Sequence, residues 1–249
     1  MFRGLAKVPY GVRKHLKAVL LSPYEQTLLS RMEGVFPREC CLCGFKGTFR
    51  GFCHPPRYDA RCPQCNSLER HRLLALWLNN NPSILESNTS VLHFAPEEVI
   101  KQFVQRRTHY YKSADLEPGR ADLVLNIERI DLPDASFDVI ICFDVLEHVD
   151  DRKALGELLR VLRPGGLALL RTPFVEAWSK TYENPAIQTP ADRFLHFGQE
   201  DHVRYFGADV RDRIRSAGFQ LEEFVATEPN VSSYGLLRGE TIFIARRPA

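Results

Sequence analysis

The chain has 249 residues, 44% hydrophobic and 26% charged, an ordinary globular composition that excludes fibrous, collagenous and fully disordered readings. At roughly 150 residues per domain, it has room for one large domain and a small appendage. The net charge of +2 hides an imbalance: residues 1–90 carry 13 Lys/Arg against 6 Asp/Glu, and residues 91–249 carry 20 against 25, as two parts with different tasks would.

No apolar run approaches the length of a membrane span. The first residues lack the apolar core and small residues of a secretory signal, so a cytoplasmic protein is expected. Residues 1–37 read as a basic helical segment. Lys7, Arg13, Lys14, His15 and Lys17 precede the first acid, Glu25, and Leu16, Val19, Leu20 and Leu21 supply an apolar face. Two readings stand open. The segment packs on its own protein, or it touches RNA or an anionic membrane surface peripherally.

Residues 38–89 hold six of the seven cysteines, between Cys40 and Cys65. Cys40 and Cys43 form one close pair, Cys62 and Cys65 the other, separated by 18 residues. Two tight turns that each aim two thiolates at a common point predict one tetrahedral zinc. With four thiolates the site is closed and structural, with no position for a catalytic water. Cys41 is an alternative to Cys40 as first ligand, and Cys53 is spare. After Cys65, Asn66 and Glu69 fit a capping box. Leu68, Leu73, Leu76 and Trp77 then recur near helical spacing, and Pro82 to Asn88 reads as a linker.

From residue 90 short apolar strands alternate with helices. Strands are predicted at 91–94, 109–114, 121–126, 137–143 and 167–171. Helices are predicted from Pro96 to Arg106 and from Asp151 to Leu162, the latter stopped by Arg163-Pro164-Gly165-Gly166. A helix near 208–216 and strands near 220–225 and 240–245 complete an α/β, doubly wound Rossmann-like sheet over 90–249. Only six residues separate Asp115 from Asp122, too few for an ordinary helical crossover. Ligands of such sheets bind beyond the carboxyl ends of the strands. Those ends carry His93 to Glu97, Asp115, Asn126 with Ile127, Asp144 with Glu147 and His148, and Thr172 to Phe174.

The segments Ser136-Phe137-Asp138-Val139, Leu146-Glu147-His148-Val149 and Arg160-Val161-Leu162-Arg163-Pro164-Gly165-Gly166 together resemble the class I S-adenosylmethionine-dependent methyltransferases, especially their ubiquinone-biosynthesis-like branch. Cys62-Pro63-Gln64-Cys65 followed by Leu68-Glu69-Arg70-His71-Arg72 is similar to a bacterial subgroup that joins a zinc ribbon to this domain. The resemblance implies S-adenosylmethionine as cofactor. It would be held by His93, Ala95 and Glu97 of the first loop, by Asp115 at the ribose, by Asn126 and Ile127 at the adenine, and by Phe143 and Asp144 at the methionine part. The first loop lacks the family's glycines, which a sulfonium amino acid tolerates because it needs no phosphate cradle. An oxygen or nitrogen acceptor that starts protonated also requires a base. His148 and His202 are the candidates, each with a structural role as its alternative. His202 lies in an insertion from Phe174 to Phe206, rich in aromatic residues, where Arg204 is expected to hold an anionic part of the acceptor. The expected acceptor is a small molecule or carbohydrate methylated on oxygen. RNA bound through the zinc ribbon, and a non-enzymatic scaffold, are the rival readings.

Overall fold

The computed structural model describes residues 27–28, 31–52 and 57–249. The basic stretch from Lys7 to Leu21, and Cys53, lie outside the described residues. The chain divides into two compact units, Met1–Leu73 with Ala226–Arg238, and Leu74–Val225 with Gly239–Ala249. Residues 226–238, read from sequence as part of the sheet domain, thus belong to the cysteine unit. Among the described residues no helix is long and apolar enough to cross a membrane.

In the first unit β1 (Glu33–Glu39), β2 (Lys46–Phe52) and β3 (Arg57–Arg61) form an antiparallel sheet in that order. Residues 33–37, expected to end the helical segment, are therefore strand. The two cysteine turns share one hydrogen-bond pattern. Gly44 N–H donates to Cys40 O at 2.8 Å and Asn66 N–H to Cys62 O at 3.0 Å, while Cys40 N–H donates to Phe45 O and Cys62 N–H to Ser67 O. Each turn closes on a left-handed residue, Gly44 at φ 76° and Asn66 at φ 61°, where glycine and asparagine are most at ease. Asn66 therefore closes a knuckle instead of capping a helix, and Glu69 pairs with Arg57 at 2.7 Å instead of reaching back. Helix α1 (Glu69–Asn80) follows.

Arg72 is the polar centre of this unit. It is fully buried, and its guanidinium donates to Ser67 O at 2.7 Å, Ala60 O at 2.9 Å, Tyr234 O at 2.7 Å and Gly235 O at 2.6 Å. It also lies over the Phe49 ring, 4.5 Å from the centroid. One planar fork thus ties the second knuckle, β3 and the 226–238 segment together, a geometry lysine cannot reproduce. Gly235 is left-handed, and a Cβ there would meet Phe49 at 3.1 Å.

The second unit is a seven-stranded sheet built from β4 (Ser90–Phe94), β5 (Tyr110–Asp115), β6 (Leu123–Val124), β7 (Phe137–Phe143), β8 (Leu162–Arg171), β12 (Gln220–Val225) and β13 (Thr241–Arg246). Their order across the sheet is β12-β13-β8-β7-β4-β5-β6, with β13 antiparallel to both neighbours. Helices α2 (Glu98–Gln105), α3 (Asp151–Val161) and α5 (Val210–Ser216) connect strands. The third strand is shorter than predicted, only Leu123–Val124. A loop replaces its crossover helix: the Asp122 carboxylate accepts the Ser113 N–H at 2.9 Å and the Ser113 hydroxyl at 2.7 Å. The predicted stop at Arg163-Pro164-Gly165-Gly166 lies inside β8, as an irregularity in its register with β7. Gly166 is required there, because a Cβ would come within 2.9 Å of two carbonyl oxygens.

The sequence segments that carry the family resemblance hold the far end of this sheet. Asp138 accepts the Ser90 N–H at 2.8 Å and the Ser90 hydroxyl at 2.6 Å, and Arg163 donates to it at 2.7 Å. Arg160 donates to Ile130 O at 2.7 Å and Leu132 O at 2.9 Å, fixing the loop after β6. Leu92, Ile140, Leu158, Ala168 and Phe243 are fully buried in one apolar core. The insertion forms β9 (Phe174–Val175), β10 (Tyr182–Glu183), helix α4 (Pro190–Phe197) and β11 (Arg204–Gly207), with strand order β10-β11-β9.

Candidate functional site

The order of the strands reverses between β4 and β7, and a crevice opens there beyond the carboxyl ends. The cleft has a volume of about 480 Å³, within the range of small-ligand sites. Phe94 at the end of β4 and Ala95 after it, Asp115 at the end of β5, Asn126 and Ile127 after β6, and Asp144 after β7 line it. Five of the eight expected cofactor positions, Ala95, Asp115, Asn126, Ile127 and Asp144, thus converge although they are spread over about fifty residues.

Local geometry explains what each offers. Ala95 stands at φ 47° and Asp144 at φ 56°, so the backbone turns sharply at both strand ends. Ala95 takes the conformation that glycine supplies elsewhere, and its methyl group leaves the floor open. One Asp115 oxygen accepts the Glu117 N–H at 2.9 Å, which orients the carboxylate at the cleft wall. The Asn126 amide oxygen accepts the Glu128 N–H at 2.9 Å; the amide nitrogen is what Asn126 has left for a ligand. Asp144 is ion-paired with Arg171, and its N–H donates to Arg171 O at 2.9 Å.

Three of the expected cofactor positions, and the expected catalytic His202, are not among the lining residues. His93 is buried in β4 and pairs with the Tyr111 hydroxyl at 2.9 Å. Glu97 sits at the N-terminus of α2 without a side-chain cap bond. Phe143 is buried at the end of β7. The alternation of strand side chains accounts for His93, since Phe94 and His93 point to opposite faces.

On one side of the cleft, Glu147, His148 and His202 come together, with one potential ligand atom of each within 4.8 Å of the others. The two imidazole rings meet edge to face, centroids 4.6 Å apart at 81°. His148 lines the cleft, and its Nδ1 lies 3.4 Å from the Asp201 carboxylate. His202 is only 4% exposed; its Nδ1 is 3.2 Å from Phe197 O, and its Nε2 is buried without a partner among the described residues. Burial, reinforced by His148, holds the His202 pKa below its ordinary value. Burial, with the neighbouring Asp144 charge adding to it, raises the Glu147 carboxyl to about 7, and this group accepts the Thr172 hydroxyl at 2.8 Å.

The insertion is fastened to this wall. Val203 N–H donates to Glu147 O at 2.9 Å, and Arg204 donates to Leu146 O at 2.8 Å and to Val149 O. Arg204 is buried and paired with Asp151 at 3.3 Å and Glu183 at 2.9 Å; Arg213 joins the same two acids. That network corrects the expectation that Arg204 holds an acceptor anion. The arginine at the cleft is Arg193 of α4, which also lines an adjoining pocket of about 690 Å³ with Glu183, Asn184 and Gln188. Arg193 and Asp201 follow no strand of the seven-stranded sheet closely, so strand-end reasoning could not select them.

In the first unit the Sγ atoms of Cys40 and Cys65 lie 3.5 Å apart and those of Cys43 and Cys62 3.7 Å apart. A tetrahedral zinc with Zn–S bonds of about 2.3 Å places its sulfurs about 3.8 Å apart, so the four thiols fit such an ion. All four are free thiols. Cys41 points elsewhere: its thiol donates to Arg72 O at 3.2 Å, and burial pushes it up to about 12. That geometry removes Cys41 as the alternative to Cys40.

Residues 89–170 match the family model described as a methyltransferase domain. A probable S-adenosylmethionine-dependent methyltransferase of Mycolicibacterium smegmatis is 35% identical over 115 residues, covering 45% of this chain and 38% of the relative. A ubiquinone/menaquinone biosynthesis C-methyltransferase of Vibrio campbellii is 24% identical over 155 residues, covering 57% of this chain and 55% of its own length. The chain therefore spans well under two thirds of the length of these relatives. Among solved structures, the [4+2]-cyclase SpnF is similar in fold, with a TM-score of 0.55 at 13% identity and 96% of each chain covered. A Haemonchus contortus N-methyltransferase bound to phosphomonomethylethanolamine and S-adenosylhomocysteine gives 0.51 at 12% identity, covering 72% of this chain and 53% of that one. The segment that matches a methyltransferase domain, residues 89–170, runs from β4 into β8 and so contains the switch point at which the cleft opens.

Proposed function

We propose that the protein transfers a methyl group from S-adenosylmethionine to a hydroxyl of a small-molecule or carbohydrate acceptor, and that Cys40, Cys43, Cys62 and Cys65 hold a structural zinc. The observation that carries the reading is the acid-rimmed cleft at the switch point, with Asp115, Glu117, Asp144 and Asp201 along its lining. Such a rim suits a cationic sulfonium and an α-ammonium group, and it repels the phosphates on which RNA binding depends. A small acceptor is therefore favoured over RNA.

When bound, S-adenosylmethionine supplies a methyl group from a sulfonium whose charge disappears on transfer. Asp115 accepts hydrogen bonds from the ribose hydroxyls. Asn126 donates its amide N–H to the adenine ring, and Ile127 packs on the ring edge. The backbone at Ala95 and Asp144 permits close approach of the amino-acid part. The acceptor enters beside His148, Arg193 and Asp201, where α4 and the adjoining pocket give it room. Orientation and exclusion of water supply most of the rate. The acceptor oxygen must also lose its proton, which the Glu147–His148–His202 wall promotes, with His148 nearest the cleft. The test is release of S-adenosylhomocysteine across a panel of hydroxylated small molecules and sugars. With a competent acceptor His148→Ala should slow transfer about 10²-fold; turnover with RNA alone would contradict the acceptor class.

A further inference from the structure

We propose that Glu147, His148 and His202 form a divalent-cation site on the acceptor side of the cleft. The ion itself does not depend on the methyl-transfer reading; only its use there rests on that reading.

Three features of the cluster point to a metal. The first is its composition: two imidazoles and one carboxylate, with ligand atoms all within 4.8 Å of one another, form a donor set that binds first-row divalent cations. The second is the state of the imidazoles. Phe197 O can only accept, so the His202 Nδ1 carries the proton in their 3.2 Å contact. The Nε2 of the neutral ring is then a bare lone pair, and it is buried with no partner among the described residues. Leaving such a group unsatisfied is unfavourable by about 1–3 kcal/mol, and a cation satisfies it. His148 repeats the pattern, with its Nδ1 against the Asp201 carboxylate at 3.4 Å and its Nε2 left over. A histidine that gives one ring N–H to a carbonyl or carboxylate and presents the other nitrogen is the usual form of a metal ligand.

The third feature is rigidity. The two histidine segments come from distant parts of the chain, yet they are joined by Val203 N–H to Glu147 O at 2.9 Å and by Arg204 to Leu146 O at 2.8 Å. Glu147 is held by the Thr172 hydroxyl at 2.8 Å. Ligands fixed by their surroundings before the ion arrives are what a tight site requires. Three protein ligands leave positions open, and His148 lines the cleft, so an acceptor oxygen can take one of them. Coordination there lowers the pKa of a hydroxyl. The oxygen then gains the methyl group, the sulfonium becomes a neutral thioether, and the displaced proton passes to solvent.

The experiment titrates the full chain, carrying one equivalent of zinc for its four thiolates, with Mn2+, followed by the loss of the free-ion electron paramagnetic resonance signal. The four thiolates do not compete, because Mn2+ prefers oxygen and nitrogen donors. We expect about one Mn2+ per chain, held by the cluster of Glu147, His148 and His202. His202→Ala should weaken binding at least tenfold. Asp201→Ala, at an exposed position, should weaken it about tenfold through loss of the His148 partner. Wild-type protein that takes up no Mn2+, or uptake unchanged in both variants, would overturn the proposal. Calorimetry with S-adenosylmethionine on the same samples separates the two ideas: Mn2+ uptake without cofactor binding keeps the ion and removes the methyl-transfer reading, and the reverse keeps the enzyme and removes the ion.

Discussion

The two compact units are held together by opposite means. The sheet unit rests on a continuous apolar core in which Leu92, Ile140, Leu158, Ala168 and Phe243 are fully buried. Among the described residues the cysteine unit has few buried apolar side chains, Phe49 being one, and it places a buried arginine and four thiols at its centre. Small apolar clusters remove little surface from water against the cost in chain entropy. Saturated polar contacts, and the ion proposed for the unit's four thiols, take that place, whereas the sheet tolerates polar groups mainly at its ends and at the cleft.

Removal of the zinc proposed for the four cysteines should break this contrast most severely. A structural zinc contributes on the order of 10 kcal/mol to folding. Chelation, or Cys62→Ser, should abolish hydrogen-exchange protection in residues 38–65 and leave β4, β7 and β8 protected. Loss of protection in both units would mean that the ion stabilises more than its own unit.

Phe243→Ala is the converse test. Deleting this fully buried ring should lower the stability of the sheet by about 3–5 kcal/mol, read as a shift in the denaturant midpoint, while a zinc-dependent signal from the cysteine unit survives. Arg72→Met follows in size. It leaves the carbonyls of Ser67, Ala60, Tyr234 and Gly235 without their donor, so the cysteine unit should lose about 3 kcal/mol. Arg72→Lys should recover little of this. Full recovery by lysine would show that charge, and not the planar fork, matters at this position.

The smallest effects concern the first loop. Ala95→Gly relieves a left-handed alanine at φ 47° but adds chain entropy, so stability should change by less than about 1 kcal/mol. Ala95→Val places a branched side chain in that conformation and against the cleft, and should weaken cofactor binding more than tenfold. Equal affinity for both variants would mean that this loop does not approach the ligand.

The sheet, its helices and the ends of β5 and β7 are legible in the sequence, because strand and helix periods and the turn residues between them are local signals. The pairing of Cys40, Cys43, Cys62 and Cys65 is legible for the same reason, since each knuckle is five residues of chain. What escapes depends on partners far along the chain. Asn66 reads as a helix cap until Cys62 O is seen to take its N–H. Arg204 reads as a free cation until Asp151, Glu183 and the carbonyls of Leu146 and Val149 surround it. The allegiance of residues 226–238 to the cysteine unit turns on Arg72, more than 150 positions away. His93 shows the limit of strand-end reasoning, because adjacent residues of one strand face opposite sides.

The central claim is that the cleft at the β4–β7 switch point binds S-adenosylmethionine, and isothermal titration calorimetry of wild-type protein against Asp115→Ala tests it most directly. Wild type should bind one equivalent of S-adenosylmethionine and of S-adenosylhomocysteine. Asp115→Ala, which removes a charge-assisted acceptor for the ribose, should bind at least tenfold more weakly, a difference of about 1.5–3 kcal/mol, with its unfolding transition unchanged. No heat of binding with folded wild-type protein, or equal affinity in the variant, would contradict the account.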